Sequence, residues 1–213
     1  MGHDAKFGDA MIKAYLYEFD AEWRQRIGGL LCGVDEAGRG PLAGPVCCAA
    51  VALDPDARYD GLDDSKKLTP QARERLYDEI TAGCVAWNAV LVDNGVIDRI
   101  NILQATLLGM AQAIAQLNRR PALALIDGNK APQTDVACRA VVGGDALSAS
   151  VAAASVVAKV TRDRYMQALD LQYPQYGFAR HKGYPTKQHY EAIDRFGLSP
   201  YHRLTFIHSR LTQ

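Results

Sequence analysis

The sequence predicts an α/β protein: a mixed five-stranded sheet flanked by helices, with a small helical segment at its C-terminal end. Three observations carry that expectation. Three apolar, strand-like runs come first in the chain, a long stretch of helical period precedes two more, and a glycine-rich turn joins the first two runs closely enough for antiparallel pairing. With 213 residues, 48% of them apolar, the chain can bury a full core. We read 1–213 as a single domain, with 1–29 an N-terminal helix and about 174–213 a basic helical segment.

Each element has its own signal. Residues 10–26 place Met11, Ala14, Tyr15, Glu18, Phe19 and Trp23 on one stripe of a helix that Gly28-Gly29 stops, and that helix should pack on the sheet edge. Residues 30–35 and 46–53 are the first two strands. Thr69 caps and Pro70 opens a helix to residue 80, with Ala72, Leu76 and Ile80 facing inward. Residues 84–92 form the third strand. Asn101 caps a helix whose Leu103, Leu107, Met110, Ile114 and Leu117 make one seam, and Arg119-Arg120-Pro121 ends it before a fourth strand at 122–127, parallel to its partner. Residues 134–142 supply the fifth. A long helix at 148–171 follows, in which Ala152, Ala153, Ala154, Ser155 and Ala158 let the backbone approach the sheet. Thr186 caps and Gly197 stops a last short helix at 187–196.

Composition narrows the function. The longest apolar stretches, 42–53 and 146–158, are too short for a membrane span, and Asp4, Lys6, Asp9 and Lys13 stand where a secretory signal needs apolar residues, so a cytoplasmic protein with no membrane partner is expected. Cys32, Cys47, Cys48, Cys84 and Cys138 are odd in number, sit in apolar segments and lack Cys-x-x-Cys spacing, which points to reduced core thiols. Net charge is zero, yet residues 180–210 hold six Lys or Arg against two acids, and four of the five histidines. A local basic face of this kind suits phosphate.

The run from Gly33 to Pro45 carries the chemistry. A strand delivers Asp35 and Glu36, then turns through Gly38-Arg39-Gly40. Carboxylate oxygens are what Mg²⁺ and Mn²⁺ prefer, and closely spaced glycines let backbone N–H groups approach a sugar or phosphate. Neighbouring side chains on a strand face opposite ways, so both acids reach one site only if the chain turns sharply at Ala37-Gly38. Asp127 ends the fourth strand. If the first and fourth strands are neighbours, three carboxylates meet at their ends and call for cations. Taken alone, each feature has a plainer explanation: solvated acids, an ordinary Asp-Gly turn, a surface Arg39.

These residues, with Asp64-Ser65-Lys66-Lys67-Leu68, Ile126-Asp127-Gly128, Gly144-Asp145, the block at 152–163, His181-Lys182-Gly183-Tyr184-Pro185-Thr186-Lys187 and His202-Arg203, occur in the order of one family. The chain resembles type 2 ribonuclease H (ribonuclease HII) of bacterial type. The resemblance implies a ribonuclease H-like fold and a monomeric endonuclease that cuts the RNA strand of RNA–DNA hybrids. It further implies incision 5′ of single ribonucleotides in duplex DNA, leaving 5′-phosphate and 3′-hydroxyl ends, in ribonucleotide removal and primer clearance. It implies catalysis by Asp35, Glu36, Asp127 and a fourth carboxylate, Asp145, holding two divalent cations, Mg²⁺ or Mn²⁺, with substrate. Gly38, Arg39, Gly40 and Tyr184 would read the 2′-hydroxyl and the junction with deoxyribose; Ser65, Lys66, Lys182 and Arg203, together with His181 and His202, would hold phosphates. Asp163 should instead make an ion pair with Lys159, four residues earlier on the helix, or a bond to the sheet. Members commonly carry Lys where this chain has Gly143, a change that could loosen the loop aiming Asp145. Type 3 ribonuclease H, with its extra N-terminal domain, and a non-catalytic binding module are the alternatives; the four carboxylates argue against the latter.

Overall fold

The computed structural model describes residues 13–211, with side chains to residue 207. Met11 and the charged residues before Lys13 lie outside the described residues. In chain order the main elements are α1 (Ala14–Ile27), β1 (Leu31–Ala37), β2 (Val46–Ala52), α2 (Pro70–Gly83), β3 (Ala86–Val92), α3 (Asn94–Ala115), β4 (Leu123–Asp127) and β5 (Ala137–Val141). There follow α4 (Ala149–Gln172), α5 (Phe178–His181), α6 (Lys187–Phe196) and α7 (Leu204–Leu211). The sheet order is β3-β2-β1-β4-β5; β2 is antiparallel to both its neighbours, and β1, β4 and β5 run parallel. The mixed sheet is as expected.

Both faces of the sheet are covered, which is why the central strands read as unbroken apolar runs. Along β2, Cys47, Ala49 and Val51 meet α4, α2 and α1 on one face, while Val46, Cys48, Ala50 and Ala52 meet α3 on the other. The five thiols are all free, and Cys32, Cys47 and Cys48 are buried. Gly33 sets the closest approach of sheet and helix: a Cβ there would lie 2.1 Å from the Ser150 carbonyl carbon. Ser148 caps α4 through the Val151 N–H, and nearly every residue from Ala149 to Ala158 is buried. No helix among the described residues is long and apolar enough to cross a membrane.

Two helices depart from the sequence reading. In α1, Tyr15 and Glu18 face solvent, and the inward side is Leu16, Tyr17 and Asp20, with Phe19, Trp23 and Ile27 packed against Leu31, Leu125 and Val151. Asp20 is buried because its carboxylate accepts the Ser148 and Ser150 hydroxyls at 2.5 and 2.6 Å and the Ser150 N–H at 2.8 Å. In α3 the helix starts earlier, at an Asp93 cap, and kinks at Asn101 (φ 67°, ψ 164°), whose side chain then caps the second half through the Gln104 N–H. Met110, Ile114 and Leu117 are buried as expected; Leu103 and Leu107 are half-buried.

Candidate active site

Strand register builds the acidic centre. β1 pairs Val34 with Ile126 of β4, so the next residues, Asp35 within β1 and Asp127 at the end of β4, come side by side. Asp145 arrives from the far edge on a single 3₁₀ turn, Gly144–Ala146, that joins β5 to α4. Oxygens of Asp35, Asp127 and Asp145 lie within 4.8 Å of one another. Gly143 does not leave this loop loose. Its φ of 67° suits glycine, and the next N–H, of Gly144, donates to Asp127 Oδ1 at 2.7 Å, so one carboxylate of the cluster fixes the loop that carries another. Glu36 lines the same cleft but falls outside that cluster, with Arg39 Nη1 at 3.4 Å from its carboxylate.

Asp35, Glu36 and Asp145 resist ionisation. Burial, then the charges of Glu36 and Asp127, hold Asp35 well above the usual carboxylate range. Burial also raises Glu36, against the pull of Arg39, and raises Asp145, where Asp127 and Asp64 add repulsion and Lys66 opposes it. Lys66 Nζ stands 3.4 Å from Asp145 Oδ2; burial works against its charge, but Asp64, Asp145 and Asp35 keep its pKa above the ordinary value. The donor set is all carboxylate and mutually repelling, which fits a hard divalent cation.

A cleft of about 240 Å³ joins Asp35, Glu36 and Asp127 to Gly38, Arg39, Gly40, Ser65, Lys66, Lys159 and Tyr184. Tyr184 keeps 41% of its surface exposed, and a Cβ on Gly40 would lie 3.7 Å from its ring. The glycine turn is held from behind by two buried arginines. Arg203 donates to the carbonyls of Gly38 (2.7 Å), Arg39 (2.8 Å) and Gly44 (2.9 Å), and Arg162 donates to those of Ala43, Pro45 and Lys182. A Cβ on Gly38, where φ is 94°, would strike Arg162 Nε at 1.9 Å. In a trans peptide the carbonyl and the following N–H point opposite ways. With the Gly38 and Arg39 carbonyls turned inward onto Arg203, the N–H groups of Arg39 and Gly40 face away from it.

The remaining expectations divide. Asp163 pairs with Lys159 at 2.7 Å, as the spacing suggested. Ser65 and Lys66 stand in the cleft. Lys182 does not; its ammonium caps the Ala179 carbonyl beside a neighbouring cleft with Arg73, Lys159 and Arg180. Arg203 is corrected from a phosphate ligand to a buried support, because every one of its guanidinium nitrogens is spent on the glycine turn. His181 and His202 are likewise buried among backbone partners and do not face phosphate. Sequence reasoning missed Arg162 and the cleft-facing Lys159. Both lie in the block at 152–163, but nothing in a hydropathy pattern separates an arginine bound to carbonyls from one in water.

A ribonuclease H-like sheet that gathers carboxylates on adjoining strands fits a phosphodiester hydrolase of the ribonuclease H-like class. The profile described as Ribonuclease HII matches residues 32–209, and the chain belongs to that family. A ribonuclease HII of Aliivibrio fischeri (strain MJ11) is 55% identical over 177 residues, 83% of this chain and 86% of that protein. One from Dechloromonas aromatica is 52% identical over 178 residues, 84% and 91% of the two chains. Among solved structures, the ribonuclease H2 of Pyrococcus horikoshii OT3 superposes with a TM-score of 0.69 at 28% identity, covering 83% of this chain and 93% of that one. The family makes the chain a ribonuclease H that acts on RNA–DNA hybrids.

Proposed function

We propose that this chain, acting as a monomer and a single catalytic domain, uses Mg²⁺ or Mn²⁺ to cut the RNA strand of hybrids and to incise duplex DNA 5′ of a lone ribonucleotide. The products are 5′-phosphate and 3′-hydroxyl ends, and the role is ribonucleotide removal and primer clearance. The single observation that carries this reading is the convergence of Asp35, Asp127 and Asp145 within 4.8 Å beside the Gly38-Arg39-Gly40 turn and Tyr184.

Asp35, Asp127 and Asp145 would hold the cations, with Glu36 completing the set from the cleft wall. When bound, paired divalent cations supply water activation and a counter-charge for the departing 3′-oxygen. The chain's own residues do the rest. The N–H groups of Arg39 and Gly40 offer donors to a 2′-hydroxyl, which can both give and take a hydrogen bond and so marks ribose from deoxyribose. Tyr184 packs its ring on the sugar that follows, a contact a deoxyribose permits. Lys66, and Ser65 beside it, meet the phosphate nearest Asp145, while Lys182 serves a more distant phosphate from its own cleft.

The test is a duplex with one ribonucleotide, incubated with Mg²⁺, Mn²⁺ or EDTA, using wild type and Asp127→Asn. Incision by wild type with either cation, lost with EDTA and in the variant, is expected. Binding without cation-dependent incision would favour a non-catalytic module.

A further inference from the structure

Three histidines lie under the loop that carries Tyr184, and their partners decide which ring nitrogen bears each proton. The Ser199 N–H donates to His202 Nδ1 at 2.8 Å, so that nitrogen accepts and the proton of the ring sits on Nε2. The Ser199 hydroxyl, also 2.8 Å from Nδ1, can donate its proton there, and the approach of the same nitrogen to the Ser199 carbonyl, at 3.4 Å, is the longer and yields to both. His202 Nε2 lies 3.1 Å from His189 Nε2, so His202 donates and His189 accepts. The proton left on His189 is then on Nδ1, which meets the Tyr184 carbonyl, an atom that can only accept, at 3.0 Å. The assignments made from the two ends of this chain agree. His181 stacks on His189 with centroids 4.4 Å apart and accepts the Gly183 N–H, so residues 183 and 184 are both held. Burial keeps His189 and His202 neutral, lowering each to about 4.

The relay begins at a fixed point. His202 forms a β-bridge with Ala43, and the Arg203 N–H donates to the Leu42 carbonyl at 2.7 Å, so the segment that starts the relay is bound to the glycine turn. The turn of Tyr184 does not need the histidine for closure, since its carbonyl already accepts the Thr186 N–H at 2.8 Å. A buried polar chain of this kind specifies one geometry where an apolar filling would only stabilise.

We propose that His202 and His189 are positioning residues that set junction specificity by fixing Tyr184 against the glycine turn. This rests on the reading of Tyr184 as the junction-contacting ring, and the experiment separates the two. Incision at a lone ribonucleotide is compared with cleavage of a continuous hybrid in His189→Gln, His189→Asn and Tyr184→Ala. Asn keeps a donor where Nδ1 stood and Gln does not. Relative to hybrid cleavage, lone-ribonucleotide incision should fall about five- to tenfold in His189→Gln and stay within about twofold of wild type in His189→Asn. If Tyr184→Ala leaves the ratio unchanged, the reading of Tyr184 fails and the inference with it. If Tyr184→Ala lowers the ratio but His189→Gln does not, or both histidine variants lose both activities equally, the histidine inference alone is overturned. Independently of any variant's folding, ¹⁵N–¹H correlation spectra of the wild-type imidazoles should give Nδ1–H for His189 and Nε2–H for His202, and the reverse tautomer at either ring overturns the proposal.

Discussion

Asp127 accepts the Gly144 N–H and also faces Asp35 and Asp145 across less than 4.8 Å, so its two substitutions should separate. Asp127→Asn keeps an acceptor for Gly144 and should lower incision on the order of a hundredfold or more at nearly unchanged stability. Asp127→Ala should add a stability loss of about 1 kcal/mol in urea unfolding, since the loop bearing Asp145 is cut free. Ionisation gives a second outcome. Asp35, Glu36 and Asp145 titrate above their ordinary values, burial first among the causes. Between the ordinary range and those raised values the folded chain keeps protons that the unfolded chain has lost, so without cations this site's contribution falls as pH rises. The gain in thermal midpoint from Mn²⁺ should therefore be larger at about pH 8 than at about pH 5, and Asp127→Asn should shrink it. Asp127 was legible in the sequence as a strand end followed by glycine, and Asp35 and Glu36 as the acids leading into the Gly38 turn, whereas Asp145 came only from the family resemblance. The arginines were not, because Arg203 and Arg162 are charged by composition and buried only by virtue of carbonyls far along the chain.

Among elements, the junction of β1 with α4 is the tightest. Gly33→Ala would drive a methyl into the backbone of Ser150 and should cost about 3 kcal/mol in urea unfolding, with α4 displaced from the strand end that carries Asp35. The strands, α2, α4 and α6 followed from local signals: apolar runs for the strands, caps at Thr69 and Thr186 for α2 and α6, and a stretch of small residues for α4. The inward face of α1 did not. Its centre is Asp20, an acid made tolerable by serines about 130 residues away, and hydropathy scores such a residue as exposed. The first half of α3 was hidden for a related reason: Asp93-Asn94-Gly95 reads as a turn, and only the packing of Ile97 shows that it opens a helix.

Across the molecule, zero net charge conceals a division of labour among the cations. Arg162 and Arg203 hold backbone, while Lys66 and Arg39 stand in the cleft where a phosphate would lie. Lys66→Ala should thus reduce the slope of log affinity for an RNA–DNA hybrid against log salt by about 1, measured with Mg²⁺ replaced by Ca²⁺ to prevent turnover. The grip of Arg203 on Gly38 spans 165 positions of sequence. On the ribosome, every carboxylate of the acidic cluster has been added once Asp145 is made, whereas the glycine turn beside it waits for a side chain that emerges some sixty codons later. A chain interrupted between those two points would carry the acids without the side chain that braces the glycine turn.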